Sequence, residues 1–340
     1  MRNHTRNRRL ALAASAVAML LVTAACGGGD DEGGSSEEEI ELTLANSYTD
    51  EQPQNRCGAQ VIADEVADAD AGMTVEVFAN SQLGADADRI SSVVSGDIDI
   101  DIQGASALGA VYEPIAVLDA VYAFDDAEHL DRYFTSEESD ELKQSFAEET
   151  GVQALGAWSA GSRHFTANEP IREPADLDGM RMRFPNSPQF LMNAEALGAS
   201  ATEVAYEELY LALQQGIVDG QENPIVNIAA LNLPEVQDYI SLSAHQLNSN
   251  IVIVGPVWDE LSSEQQEVLQ GAIDSAVEQL PGCVEEDEQA SLDQWAEEES
   301  IEVVDDVDID AFQAQADEYL RENFNADQLA VYEAIRAAAE

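Results

Sequence analysis

The chain has 340 residues, with 68 Asp and Glu against 14 Lys and Arg, giving a formal net charge of −54. So acidic a surface repels nucleic-acid phosphates and anionic membrane faces, which argues against both as partners. Because the negative charges also repel one another and salt screens them, we expect the fold to be more stable in molar salt than in dilute buffer.

The N-terminus has the pattern of an export signal. Basic residues at positions 2–9 precede an uncharged apolar run over 10–22 and small residues before Cys26. This pattern predicts a signal peptide over residues 1–25 and a lipid anchor on Cys26, outside the cytoplasmic membrane in the periplasm or at the cell surface. A plain signal peptide with an incidental cysteine is the alternative. Residues 26–39, rich in Gly, Ser and acidic side chains, predict a flexible tether.

Residues 40–102 alternate strand and helix patterns. Apolar and polar residues alternate over 40–46, 73–78 and 97–102, which predicts strands, and helical spacing predicts helices over 53–69 and 86–95. Strands that alternate with helices are typical of an α/β fold.

The second half of the chain continues this pattern. Ser262 and Gln265 are spaced as a helix capping box, and Pro281 and Gly282 are expected to kink or break the helix that follows. The remaining predicted elements are strands over 151–158, 180–184 and 251–254, and helices over 189–197, 206–215, 262–280, 285–299 and 308–340, the last with a turn near Asn325.

Cys57 and Cys283 are the only cysteines besides Cys26. In an oxidising compartment two remaining cysteines predict one disulfide, and two separate buried thiols are the alternative.

Motifs of catalysis and cofactor binding are missing from the sequence. It contains no HExxH, CxxC, phosphate loop or GxGxxG, and the elbow-like AWSAG has Ala157 where glycine is needed. The aspartates of 97–101 do not fit a calcium loop, because Ile102 and Leu108 replace its glycine and glutamate. We therefore expect no cofactor, no metal and no enzyme activity, although accidental carboxylate pairs leave a secreted acid hydrolase open.

Positive charge is scarce after Cys26 and concentrated in one region. Four of the ten Lys and Arg of that part of the chain lie between Arg163 and Arg183. In the run GMRMRFP, Arg181 and Arg183 would share one face of a strand. Arginine grips carboxylates with two parallel hydrogen bonds, which suggests a small anionic ligand. Neutralisation of neighbouring acidic side chains explains these arginines equally well.

Two longer motifs indicate a family. ALQQGIVDGQENP and PADLDGMRMRFPNSP resemble signatures of the solute-binding proteins of tripartite ATP-independent periplasmic (TRAP) transporters, the DctP-like group. SQLGADADRISSVVSGDIDI and GSRHFTANEPI also fit that group, and the resemblance extends over residues 40–330.

The resemblance implies several ligand-binding residues. It makes Arg183 the residue that grips a ligand carboxylate and Asn223, beside Glu222, a donor to the same group. Arg163 is the expected second arginine contact, whereas Arg181 is not a usual contact.

From the first domain, Asn46 and Gln103 stand where family members touch the ligand. Trp158 and Tyr206 are candidate cavity walls or ordinary core aromatics. Cys57 and Cys283 belong to no motif of the family.

The resemblance also implies the architecture, a two-lobed periplasmic-binding-protein-like fold of type II-like form. Each lobe is expected to be a mixed sheet flanked by helices, with the long helix from Ser262 spanning both lobes. Lobe I would contain 40–160 plus about 249–288, and lobe II 161–248 plus about 289–340.

The implied function is capture of a carboxylate-bearing solute by hinge closure and its delivery to TRAP membrane permease subunits by a monomeric protein. Dicarboxylates, 2-oxo acids, sugar acids and zwitterionic osmolytes such as ectoine are the expected ligand classes. A binding protein of another importer, a sensor component or a structural surface protein are alternatives.

Overall fold

A single mixed sheet forms the frame of the computed structural model, which describes residues 39–339. In this part of the chain the strand order is β2-β1-β3-β8-β4-β7-β5-β6, with β9 paired to β8. The strands are β1 (Ile40–Ala45), β2 (Met73–Phe78), β3 (Ile100–Gly104), β4 (Gln153–Ala167), β5 (Arg181–Phe184), β6 (Ser200–Glu203), β7 (Gly220–Pro224), β8 (Tyr239–Val254) and β9 (Glu302–Val304).

Helices pack against this sheet along its length, as is typical of an α/β fold. A π-helical turn over Gln54–Ala59 leads into the first of them. The helices are α1 (Gln60–Asp68), α2 (Asp86–Ser95), α3 (Ala105–Leu108), α4 (Ala127–Phe134), α5 (Glu137–Thr150), α6 (Pro188–Leu197), α7 (Leu209–Gln214), α8 (Ile225–Ala230), α9 (Ser263–Glu298), α10 (Ile309–Asn323) and α11 (Ala326–Ala337).

Two long antiparallel strands, β4 and β8, run through both lobes. The parallel group β2-β1-β3 pairs with the C-terminal end of β8, and the parallel group β6-β5-β7 pairs with the C-terminal end of β4. The register between β4 and β8 shifts between Ser159 and Ser162. Each lobe therefore has its own strands, as predicted, but the two sets are joined into one continuous sheet.

The long helix α9 contributes to the cores of both lobes, as predicted. Its Leu269 and Ile273 pack in the core of β1 and β3, and its Trp295 packs beside Leu209 and Leu213 of α7. The Ser262–Gln265 capping box is formed at its start.

A break of α9 at Pro281 is wrong, because the helix continues through this residue to Glu298, whereas a kink there stays a prediction. Proline removes one backbone hydrogen bond from a helix. Leu280 and Val284 on either side of it are buried in the same core, at 0% and 3% exposure. Burial of these side chains offsets the lost hydrogen bond.

Cys57 and Cys283 form the predicted disulfide, which connects the first helical turn to α9 across 226 residues of sequence. Closing so long a loop removes unfolded-state entropy worth up to about 5 kcal/mol. The bond fixes α9 to lobe I just before the helix reaches lobe II.

The C-terminal helices pack on different parts of the molecule. Helix α10 lies against α6, whereas α11 lies against 113–119 and α5, which belong to the predicted lobe I. His129 of α4 bonds the carbonyl of Ile335 at 2.7 Å. The lobe boundaries stay a prediction. Helix α11, which that prediction assigns to lobe II, packs against residues that it assigns to lobe I.

Several predictions fall outside the described residues, namely the signal peptide over 1–25, the lipidated Cys26 and all of the tether except Glu39. Within residues 39–339, no helix combines the length and apolar character needed to cross a bilayer.

Candidate functional site

A cavity of about 520 Å³ lies where the two parallel strand groups meet the long strands. Residues at the carboxyl ends of β1, β3, β5 and β7 contribute to its wall, among them Tyr48, Gln103, Pro185 and Asn223. Ligands of open α/β sheets bind beyond the carboxyl ends of the strands. This cavity is therefore the candidate binding site.

Arg183 lines the cavity and is only 2% exposed. Its Nε donates to the carbonyl oxygen of Val204 at 2.9 Å, and no carboxylate of the described residues lies within ion-pairing distance of the guanidinium. Burial lowers the pKa of Arg183 to about 10, partly offset by the charge of Glu222. The group stays charged at neutral pH and has no counterion among residues 39–339, so it is suited to an anionic ligand.

Arg181, two residues earlier, lies outside the cavity. Its side chain is about half exposed and grips Asp219 through Nη2 at 2.5 Å and Nε at 2.9 Å. Of the two arginines in GMRMRFP, Arg181 therefore neutralises a surface carboxylate and Arg183 does not.

Arg163, the other arginine of the cavity, already has a carboxylate partner. Its Nε and Nη2 both donate to the carboxylate of Glu222, and its Nη1 donates to Oδ1 of Asn248 at 2.6 Å. The guanidinium also stacks over the ring of Phe190, 4.8 Å from its centroid. Arg163 therefore reaches the cavity with its charge largely compensated.

Glu222 is fully buried behind Arg163 and does not line the cavity. Burial alone would raise the pKa of Glu222, but the Arg163 guanidinium outweighs this effect and holds it below its usual value. His245 Nε2 lies 3.3 Å from the same carboxylate, and its Nδ1 lies 2.8 Å from Ser243 Oγ. This Ser–His–Glu series resembles a catalytic triad, yet its members are at 0% exposure and none lines the cavity.

Three uncharged predicted residues line the cavity with Arg183. Asn223 accepts from Arg163 Nη2 at 3.2 Å and donates to Gln221 at 2.5 Å. Gln103 donates to Asp101 at 2.7 Å, which turns its carbonyl oxygen away from that carboxylate. The Tyr206 hydroxyl is buried and makes no well-formed hydrogen bond to a described residue, although Gln52 lies nearby, and burial raises the pKa of Tyr206 to about 12.

Asn46 and Trp158 lie outside the cavity wall. Asn46 is fully buried and accepts from the backbone N–H of Tyr48 at 2.9 Å, so it shapes the turn that brings Tyr48 into the wall. Trp158 is 2% exposed in the lobe I core, where a side-chain carbon at Gly58 would lie 3.2 Å from its ring. The structure thus brings five of the eight predicted ligand residues together and places Glu222, Asn46 and Trp158 behind them.

The sequence was compared with known protein families. The family model described as "Bacterial extracellular solute-binding protein, family 7", DctP, matches residues 46–327. The chain belongs to this family. Its members are substrate-binding proteins for transport, and the cavity lies where such a protein needs its binding site.

Individual relatives agree with this family. A solute-binding protein of Roseobacter denitrificans is 35% identical over 268 residues, which cover 78% of this chain and 81% of the relative. Among solved structures, a TRAP periplasmic solute-binding protein of R. denitrificans with bound L-galactonate has a TM-score of 0.80 at 32% identity, covering 88% of this chain and 99% of that one. Another from the same species, with bound 3-deoxy-D-manno-oct-2-ulosonic acid, has a TM-score of 0.81 at 28% identity, with the same coverage.

Further residues of this DctP-family cavity were missed by sequence reasoning. Asn248 and Asn250 alternate on β8 and line the wall, but we predicted a strand only from residue 251 onward. Their signal is the polar run HQLNSN immediately before the apolar IVIV. The other missed polar or charged lining residues include Tyr48, Asp86, Asp119, Ser187, Glu207 and Asn227.

Proposed function

We propose that this TRAP-family protein captures a small carboxylate-bearing solute between its two lobes and delivers it to the permease subunits of a TRAP-type secondary transporter. The observation that carries the proposal is Arg183, a buried guanidinium at the cavity wall without a carboxylate partner among the described residues. A ligand carboxylate would supply the missing charge through two parallel hydrogen bonds.

Around this contact, uncharged side chains would bind the rest of the solute. Asn223 and Tyr206 come from lobe II, and Gln103 and Tyr48 come from lobe I. Because ligand groups would bridge both walls, binding would favour a closed arrangement of the lobes.

The hinge of this closure is proposed at the register shift of β4. Gly161 lies inside the shift with a φ of +93°, a backbone conformation that side-chain-bearing residues rarely adopt. The lobe boundaries near 160 and 248 fall at the same place, and they are part of the proposal.

The proposed site of action is outside the cytoplasmic membrane, with Cys26 as lipid anchor and a monomer as the working form. The ligand would be released unchanged, because the Ser243–His245–Glu222 series has no access to the cavity. The hydrolase alternative would instead consume the ligand.

A melting-temperature screen in about 1 M KCl tests the function. The ligands would be succinate, 2-oxoglutarate, galacturonate, L-galactonate and ectoine. At about 100 times the dissociation constant, a bound ligand adds about 2.7 kcal/mol to the free energy of unfolding. We expect at least one acid to raise the melting temperature by several degrees, and Asn223→Ala to weaken its binding. If no carboxylate shifts the transition, or if the bound acid is turned over, the proposed function is wrong.

A further inference from the structure

We propose that the solute carries a single carboxylate on an otherwise uncharged body, and that the cavity discriminates against dicarboxylates. This inference rests on the proposed function and narrows its ligand class. It follows from how the charges that line the cavity are already paired.

Only one arginine of the cavity is available for a ligand anion. Arg163 and Arg183 are the basic residues in the wall formed by the described residues. Arg163 donates from Nε and Nη2 to the buried carboxylate of Glu222. The fully buried Arg89 behind the wall donates to Asp101 and Asp86 at 3.2 Å and 3.0 Å. Arg183 alone can compensate a ligand carboxylate.

The other charged groups of the wall are carboxylates. Asp86, Asp119 and Glu207 all line the cavity. Because all three line a cavity of only about 520 Å³, a second ligand carboxylate would lie in their negative field. It would lose hydration, find no cation and be repelled.

Two of these wall carboxylates, Asp119 and Asp86, already have hydrogen-bond or ion-pair partners, which argues against a ligand cation between them. Asp119 accepts from Ser106 N at 2.7 Å and from Ser249 Oγ at 2.6 Å. Asp86 accepts from Arg89 and from Ser47 Oγ at 2.7 Å. A buried carboxylate gains most from a ligand cation when it lacks partners of its own, and Asp119 and Asp86 already have them.

Neutral polar groups dominate the rest of the polar wall. The Tyr206 hydroxyl lacks a well-formed hydrogen bond, and Gln103 has its amide nitrogen fixed by Asp101. Asn227 and Asn250 add further amides. Amides and hydroxyls bind hydroxyl or carbonyl groups of a ligand without requiring charge. The wall is therefore complementary to one carboxylate and a neutral polar body.

Pairs of acids that differ by one carboxylate test whether the cavity discriminates against a second one. The two acids of a pair share one carbon skeleton, and one of them has a second terminal carboxylate. The pairs are 4-hydroxybutanoate and succinate, D-erythronate and meso-tartrate, and L-galactonate and galactarate. A fourth pair consists of the best acid of the melting screen and its counterpart with one carboxylate more or fewer. Dissociation constants would be measured by calorimetry in about 1 M KCl at pH 7.5, where charges inside the cavity are screened less than those on the surface.

We expect the monocarboxylate of every binding pair to bind at least about tenfold more tightly than its diacid. A diacid that binds as tightly as its partner, or more tightly, overturns the proposed preference for a single carboxylate. The proposed function would still stand. If no carboxylate of any kind binds, the proposed function itself fails and the inference fails with it.

Two variants test whether wall carboxylates cause the preference for the monoacid. Asp86→Asn removes a carboxylate from the wall, whereas Asp88→Asn removes an exposed one from the same helix outside the cavity. The preference for the monoacid should fall at least about threefold in Asp86→Asn and stay unchanged in Asp88→Asn. Equal preferences in the two variants would contradict the assignment to wall carboxylates.

Discussion

Arg163 and Arg183 are the same side chain, equally buried in the wall of one cavity, yet their surroundings differ. Arg163 is enclosed by Glu222, Asn248 and the ring of Phe190. Arg183 has the carbonyl of Val204 as its one hydrogen-bond partner among the described residues. The comparison teaches that the partner of a buried charge, rather than its burial or position, separates a structural arginine from one that is available to a ligand.

The two environments have opposite energetic consequences. A buried charge is tolerated while its partner compensates it, and losing one partner is costly. An uncompensated buried charge weakens the empty protein until a ligand supplies the missing charge. Variants at the two arginines and at their neighbours test this difference.

Removing Arg163 should cost the most stability. Arg163→Ala leaves the carboxylate of Glu222 fully buried without its cation, which costs about 3–5 kcal/mol in the free energy of unfolding. Urea unfolding in 1 M KCl without ligand measures the loss. Arg183→Ala is the matched control and should cost less than about 1 kcal/mol, since no ion pair is broken. Equal losses in the two variants would remove the contrast.

Lowering the pH should destabilise the region around Arg163 first, because His164 and His245 are buried there. Burial, together with a smaller electrostatic contribution from His245, lowers the pKa of His164 to about 3. The unfolded chain binds this proton near pH 6.5, so the contribution of a neutral His164 is present above pH 6.5 and is lost as the pH falls towards 3.

His164→Asn tests this dependence. The backbone N–H of Ala244 donates to His164 Nδ1 at 3.1 Å. Asparagine keeps an acceptor for this N–H but does not titrate. Between pH 7 and pH 5 the wild type should lose about 2 kcal/mol more than the variant. Parallel stability profiles from urea unfolding at both pH values would show that His164 does not titrate as expected.

Glu222→Gln should make Arg163 more like Arg183. The substitution removes the carboxylate that holds Nε and Nη2 and leaves a second uncompensated cation at the wall. The preference for monocarboxylates over diacids should then fall several-fold, because a second ligand carboxylate gains a partner. Calorimetry with the matched acid pairs measures it, with the exposed Glu208→Gln as control. An unchanged preference would mean that Arg163 does not reach the ligand.

The alternating part of the fold was predictable from the sequence. Strand β2 and helix α2 begin and end where the apolar periodicity placed them, because one face of each is buried and the other is solvated. Strand β8 was not predictable over its full length. Apart from Leu247, its residues from His245 to Asn250 are polar but buried, because they hydrogen-bond to other buried polar groups, and polar runs resemble loops.

For the site, the resemblance indicated Arg183, Asn223 and Gln103, which the structure places in the cavity wall, and their contacts to a ligand stay a prediction. They could not tell that Glu222 turns away from the cavity to pair with Arg163. Alternation along β7 and the register with β4 decide that, and both depend on tertiary contacts. The same limit applies to Trp158, whose core position follows from the helix packed against it.

The central claim is that Arg183 is the cation kept for the ligand, and the most direct test compares it with its neighbour in GMRMRFP. Calorimetry of the best-binding acid would be performed with Arg183→Ala and Arg181→Ala in 1 M KCl. Two charged hydrogen bonds to a carboxylate predict at least about a 100-fold loss of affinity in Arg183→Ala. Arg181→Ala should bind within about twofold of the wild type, since it loses only an exposed pair with Asp219. Unchanged affinity in Arg183→Ala, or an equal loss in both variants, would contradict the account.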